Sequence, residues 1–364
     1  MNLDFLPSRT LTLYLAKLFV ARIAAVLVML VLVLLMMDLL SQSGKILEAG
    51  NGQPQLLYYA SLRIPQLIAR FLPYAVLLAT LITLVTLNQN SEVIAMKAAG
   101  LSAHQVLAPL VLTAAVISAA SFAFNEGVVA RATASLKAWQ AVDYGPIPPE
   151  SDVRTNVYVS TGPDIMSAAT VLGTGNAMRM RDVTFYRRSP EGMIIQRISA
   201  STARYANPGW TMTDANIFEV QGATSRDVPS ITVAESLAPQ QIELARVDPE
   251  TQDFGRLSES IDRYRDAGRN ADELRTVWWH KMSGPLAAIL MPILGSIAAF
   301  GLARSGQLFV RALIGMALGF AYFVVDNAAL AMGGFGGYPP FLAAFAPFLL
   351  FLLIGETMLI RTEE

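Results

Sequence analysis

Three sets of side chains in this sequence are of a type and spacing that could do chemistry. The first lies in the run Asn88-Gln89-Asn90-Ser91-Glu92-Val93-Ile94-Ala95-Met96-Lys97-Ala98-Ala99-Gly100-Leu101-Ser102. Asn90 or Ser91 is suited to cap a short helix, and Gly100 to end it in the left-handed conformation. About two turns of helix result, too short to cross a bilayer and too apolar for a free loop. Val93, Ile94 and the run Met96–Ala98 offer a surface for a partner, with Glu92 and Lys97 as its charges. Two readings stand: a helical loop held on its own bundle, or a coupling helix seated in a cytoplasmic motor domain with Glu92 against a basic group.

The second set is Asp326 with Tyr322 one turn before it. A carboxylate inside an apolar segment is costly, so it faces a cavity or a polar partner. Proton relay is one role. Hydrogen bonding to Asn327, Tyr322 or a neighbouring helix is the plainer one. The third set is basic: Lys45, Arg63 and Arg70 near the outer ends of the first two apolar segments, with Arg304 before the fifth. Such residues hold lipid phosphates, or simply snorkel to the headgroups.

Other chemistry is excluded by composition. There is no cysteine, and His104 and His280 are the only histidines, which leaves no thiolate site and makes a histidine-rich metal site improbable. No GxxxxGK[ST], HExxH or GxSxG pattern occurs, so neither ATP hydrolysis nor these hydrolase chemistries are expected of this chain. Asp326 is the one clear intramembrane carboxylate, where an aspartyl enzyme needs two. The net charge of −1 gives no basic stripe for nucleic acid. A non-catalytic chain without a cofactor of its own is expected.

The elements that must position these groups are mostly membrane helices. Of 364 residues 54% are hydrophobic and 15% charged, against about 25% charged in soluble domains. Six segments supply the roughly 20 apolar residues a span requires: 17–37, 65–87, 105–124, 283–303, 309–332 and 340–359. The first is read as a true span rather than a cleaved signal peptide, because its apolar run is long and closes on Asp38 with no small-residue cleavage site. With the N-terminus cytoplasmic, that side holds Arg9, Lys17, Arg22, Lys97, Arg304, Arg311 and Arg361, against Lys45, Arg63 and Arg70 opposite. Seven against three favours this orientation. Gly315 and Gly319 form a small-xxx-small pattern that permits close helix approach.

Between the third and fourth spans lies a different kind of sequence. Short alternating runs such as Asn156–Ser160, Asp182–Arg187, Ile194–Ile198, Trp210–Thr213, Ile217–Val220 and Ile231–Val233 are separated by breakers such as Gly162-Pro163 and Asn207-Pro208-Gly209. They predict an all-β sandwich or open barrel. The stretch 257–279 then returns to helical spacing, with Leu257, Ile261 and Tyr264 at i, i+4 and i+7. It reads as a surface helix leading into span four, with Trp278 and Trp279 at the interface. The chain thus divides into 1–124 (three spans, with a coupling helix at about 90–100), 125–281 (β domain and connecting helix) and 282–364 (three spans).

Taken in order, several local patterns resemble one family. The run Ser91–Gly100 is similar to a coupling segment of form S-E-[LIV]-x-x-M-x-[AH]-[ASC]-G. Trp279, Lys281, Pro285 and Leu286 resemble the lead into span four. Gly301-Leu302-Ala303-Arg304-Ser305, then Gly319-Phe320-Ala321-Tyr322-Phe323-Val324-Val325-Asp326, then Gly337-Tyr338-Pro339-Pro340 resemble the two turns and the helix between them. Over essentially its whole length the chain resembles the lipopolysaccharide export permeases of the LptF/LptG family, nearer the LptG branch.

The resemblance implies a polytopic α-helical protein with an inserted extracytoplasmic β-jellyroll. It implies pairing with the sister permease LptF and two copies of the ATPase LptB, which would bind ATP and Mg. Lipopolysaccharide would be extracted from the inner membrane and passed by way of LptC to LptA. Glu92, Val93, Met96, Lys97 and Gly100 would form the ATPase-coupling site. The LptG branch often carries a basic pair after the first span, where this chain has Ser41-Gln42-Ser43 with Lys45 as the nearest cation. That shifts the expected phosphate contact towards Arg63 and Arg70. Two other classes remain open beside this one: a membrane-anchored scaffold, and a proton-coupled transporter using Asp326.

Overall fold

A computed structural model describes residues 7–145, 153–173, 175–189, 192–243, 247–266, 268–296 and 308–361. The helices are α1 (Arg9–Glu48), α2 (Gln53–Gln89), α3 (Glu92–Ala98), α4 (Ala103–Phe124), α5 (Ala130–Ala141), α6 (Pro239–Glu243), α7 (Phe254–Asp266), α8 (Asp272–Ser296), α9 (Leu308–Gly334) and α10 (Pro340–Arg361). Six strands, β1 (Val153–Thr161), β2 (Asp164–Leu172), β3 (Arg179–Arg188), β4 (Ile194–Ala206), β5 (Gly209–Glu219) and β6 (Thr224–Val233), follow α5. Among the described residues five helical stretches are long and apolar enough to cross a membrane: Arg9–Glu48, Gln53–Gln89, Ala103–Ala141, Ala312–Gly334 and Pro340–Arg361. The chain is a polytopic membrane protein with a β domain inserted between its helices. The expected fourth span begins on α8, and its continuation at 297–303 lies outside the described residues.

By their contacts the residues fall into two units. One holds Met1–Ser41, Ala60–Ala132 and Pro249–Glu364; the other holds Gln42–Tyr59 and Thr133–Asp248. In the first, Leu15, Phe19, Val76, Leu84, Leu107, Leu110, Leu290 and Tyr322 belong to one buried apolar cluster. Apolar faces on α1, α9 and α10, such as Leu32, Met36, Phe320 and Leu353, remain exposed as lipid-facing surfaces require. The glycine pattern on α9 acts as its spacing predicts. A Cβ at Gly315 would stand 3.2 Å from Leu81 Cδ2, and one at Gly319 would overlap Leu77, so α9 lies close against α2.

The helix runs on past Phe124, the expected end of the third span. A π-helical turn, Asn125–Val129, carries it into α5, because polar composition alone does not end a helix. Within that turn Glu126 accepts hydrogen bonds from the backbone N–H of Phe254, the first residue of α7, and from Lys281 Nζ at 3.0 Å on α8. The Phe254 ring stacks on Trp278 at 4.4 Å and meets Phe122 edge-on. The expected helix over 257–279 is in fact two, α7 ending at Asp266 and α8 starting at Asp272. Gly268 between them has a φ of +66°, and Trp278 and Trp279 belong to the second. Leu257, Ile261 and Tyr264 do form the buried stripe of α7.

The strands pair in chain order, β1-β2-β3-β4-β5-β6, all antiparallel. This is an up-and-down meander, whereas a jellyroll exchanges strands between two sheets. One line crosses the whole sheet. The pairing steps over Asn156, Ala169, Asp182, Ser201, Asp214 and Pro229, which stand opposite one another from β1 to β6. Asp182 and Asp214 have φ of +50° and +52°, and Pro229, with no N–H to give, sits on the edge strand where it is tolerated. At this crease the buried face changes phase by one residue. On β5 it runs Trp210, Met212, then Ala215, Ile217; on β3 Met180, then Val183, Phe185; on β4 Ile198, Ala200, then Ala203. Trp210-to-Thr213 and Ile217-to-Val220, expected as separate strands, are therefore the two halves of β5. All these inward residues share one core, with Leu237 and Ile242 from the segment after β6 packed into it.

Candidate functional site

The connection between α2 and α4 is built in three moves. The chain leaves α2 through Ser91, whose φ of +60° turns it sharply and whose side chain makes no capping hydrogen bond, contrary to the capping role expected of it. α3 follows. It closes in a Schellman arrangement, with Gly100 N–H donating to Lys97 O at 2.9 Å and Leu101 N–H to Met96 O at 3.2 Å. Gly100 has a φ of +89°, the left-handed geometry that its position predicts. Ser102 and Gln105 then start α4 with a reciprocal capping box.

Seven residues allow α3 only one inward stripe. Val93 and Met96 occupy it, buried in the cluster that holds Leu15, Phe19, Leu87 and Val106. The surface expected of them is thus corrected: they anchor α3 to its own bundle, and the outward face consists of Ile94, Ala95, Lys97 and Ala98. Ile94 is 52% exposed, unusual for an isoleucine beside an available core. Glu92 lies at the start of this face. Its carboxylate accepts a hydrogen bond from the Tyr14 hydroxyl on α1, at 3.2 Å to Oε2 and 3.5 Å to Oε1, and from the Asn90 amide at 3.4 Å. Two turns further along α1, Arg22 donates from Nη1 to the Ile82 carbonyl of α2 at 3.0 Å. In the first turn of α4, His104 Nε2 stands 3.2 Å from Glu356 Oε2 near the end of α10. α3 is therefore anchored on one side and presents a charge and an apolar side chain on the other.

The basic set is dispersed. Arg63 forms a forked pair with Asp38, Nε to Oδ2 at 2.9 Å and Nη2 to Oδ1 at 3.2 Å, and its Nη1 donates to Gln66 at 2.8 Å. A phosphate at Arg63 would have to compete with that carboxylate. Arg70 and Lys45 are exposed, Lys45 in the last turn of α1, and Arg304 lies outside the described residues. Asp326 and Tyr322 are both buried on α9. Tyr322 meets Phe351 edge-on at 5.6 Å, and Tyr74 stacks on Phe323 at 3.8 Å. Asn327 donates from its amide to the Phe323 carbonyl at 2.7 Å.

Tyr14, Arg22, His104 and Glu356 were not legible as site residues. Each touches a partner at least 60 positions away in the chain, and no local pattern encodes such a contact. The description "Lipopolysaccharide export system permease LptF/LptG" matches residues 13–361. The chain belongs to that family. Among curated proteins it is similar to the lipopolysaccharide export system permease protein LptG of Escherichia coli K12, 24% identical over 327 residues covering 87% of this chain and 89% of that protein. The Haemophilus influenzae LptG is 24% identical over 321 residues, 85% and 87% of the two chains. The match takes in both units and the whole α2–α3–α4 connection.

Proposed function

We propose that this chain is the LptG-type transmembrane subunit of an ABC-type exporter that lifts lipopolysaccharide out of the inner membrane. The observation that carries this is α3, a two-turn helix anchored by Val93 and Met96 while Glu92, Ile94 and Lys97 face outward. That is how a coupling element must be built: rigid towards the bundle it moves, open towards the motor it follows. ATP and Mg belong to a separate ATPase, LptB, in two copies, one beneath this chain and one beneath the sister permease LptF. The termini and α3 are cytoplasmic and the β domain periplasmic, as the balance of basic residues favours. LptC and LptA receive the lipid from there.

The energetics require such a division of labour. Exposing acyl chains to water costs about 0.8 kcal/mol per CH₂, so extraction needs both hydrolysis next door and an apolar surface on the far side. The inner face of the sheet, with Met166, Phe185, Ile198 and Ile217 packed in its core, would have to open to offer such a surface. Exposed Arg70 and Lys45 are the cations best placed to meet lipid phosphates, since Arg63 is already engaged by Asp38.

The test is to solubilise the tagged chain from native membranes and identify its companions by mass spectrometry, for wild type and Glu92→Arg. Wild type is expected to retain an ATPase, a second six-span permease and a bitopic β protein. Glu92→Arg is expected to lose the ATPase alone. An ATPase-free wild type would defeat the exporter reading and leave a scaffold or a secondary transporter.

A further inference from the structure

Glu92 does not stand alone on the outward side of α3. Its partner Tyr14 comes from α1, which also packs Leu15 and Phe19 into the apolar cluster under α3. We infer that Tyr14 is a positioning residue for the coupling carboxylate, so that the motor-facing site is built jointly by α1 and α3. The inference rests on the docking role proposed above for Glu92.

The geometry supports a directed arrangement. Leu15 and Phe19, fully buried, place the neighbouring face of α1 in the same apolar cluster as Val93 and Met96. This fixes α1 beside α3 and brings the Tyr14 hydroxyl to the first residue of the short helix. Ser91 supplies no cap there, and a free Glu92 side chain would sample several rotamers. The tyrosine hydroxyl reaches both carboxylate oxygens, and Asn90 bonds only Oε1. Tyr14 as a whole is 45% exposed, more than packing alone would ask of a tyrosine next to a core. Two turns on, Arg22 ties α1 to the Ile82 carbonyl of α2, holding the register from which Tyr14 reaches out. A shift of α1 along its axis would therefore withdraw the hydroxyl and release the carboxylate. The bond is at the surface, so its effect on docking is modest and specific.

The experiment is a double-mutant cycle read as the amount of ATPase retained per tagged chain, with the full protein solubilised from its own membrane at one fixed salt concentration. The four forms are wild type, Tyr14→Phe, Glu92→Ala and the double variant. Tyr14→Phe keeps the ring and removes only the hydroxyl, and thermal melting of each form separates misfolding from lost docking. Tyr14→Phe is expected to lower retention about three- to tenfold, with an unchanged melting temperature. In the Glu92→Ala background the same change is expected to do nothing further. If Glu92→Ala loses the ATPase while Tyr14→Phe matches wild type, the inference about Tyr14 fails and the docking role of Glu92 stands. Independent, additive losses would overturn it too, because Tyr14 would then act elsewhere. Full retention by Glu92→Ala would remove the docking role itself and the inference with it.

Discussion

The helix that runs from α4 into α5 and the six-stranded sheet each interrupt their own periodicity, the helix at one turn and the sheet along one row, and they do so in opposite ways. In the helix a single π turn, Asn125–Val129, inserts a residue into one element, closed by the Ala130 N–H to the Asn125 carbonyl. The insertion serves one side chain, aiming Glu126 at Lys281 and at the start of α7. In the sheet every strand carries its extra residue in the same row, from Asn156 to Pro229. Across that row no neighbour loses register, and the buried face shifts phase together. A local insertion re-aims a side chain; a shared one re-shapes a surface. The first is held by an ion pair, the second by its own consistency.

The sharpest way to break the comparison is to make the shared insertion unshared. Deleting Asp214 alone leaves β4 and β6 with their extra residue and β5 without it. Trp210 and Met212, both fully buried, must then face outward or pull β5 out of register with both neighbours. Losing a buried tryptophan alone costs about 3–5 kcal/mol. The β unit is expected not to fold, and limited proteolysis of membranes should cut between 153 and 233 where wild type resists. A resistant deletion variant would show that the crease is not what holds the phase.

The next effect belongs to the helix. Lys281 and Glu126 are 14% and 19% exposed, so Lys281→Met leaves a poorly solvated carboxylate with only the Phe254 N–H and costs about 2–4 kcal/mol. The expected readings are a lower melting temperature of the solubilised chain and a red-shifted tryptophan emission, since Phe254 stacks on Trp278. Glu126→Gln with Lys281→Met should recover most of the loss, as no buried charge then remains. If the double variant is as unstable as Lys281→Met, the π turn is held by something other than this pair.

These two interruptions also mark where sequence reading ran out. Apolar stretches of span length are read directly from composition, and α1, α2, α4, α9 and α10 follow. Alternation marks the β segments, so the phase change at Asp214 makes β5 read as two. β2 is less legible because its centre, Ser167-Ala168-Ala169-Thr170, is small and weakly alternating. In the coupling segment, Gly100 and the short helix were legible from local chemistry. Which side of α3 faces out was not, because burial of Val93 and Met96 depends on Leu15 and Phe19 some 75 to 80 positions away. Tyr14 was invisible for the same reason. Local rules fix elements and their ends; the pairing of elements decides which residues remain for function.

The smallest predicted effect is the most discriminating about the crease. Asp214 holds a φ of +52° within a strand, a conformation in which aspartate is tolerated, glycine is free and a β-branched residue is strained. Strand propensity argues the other way, since valine favours strands and glycine weakens them by roughly 0.5–1 kcal/mol. If backbone geometry at the crease dominates, Asp214→Gly is near neutral, because release of the left-handed strain offsets the entropic cost. Asp214→Val then destabilises by about 1–2 kcal/mol. If propensity dominates, the order reverses, with valine the more stable. Asp214 is exposed and its neighbours in the ladder are paired without it, so neither change removes a core contact. The order of the two melting temperatures therefore reports on the backbone of the crease and on little else.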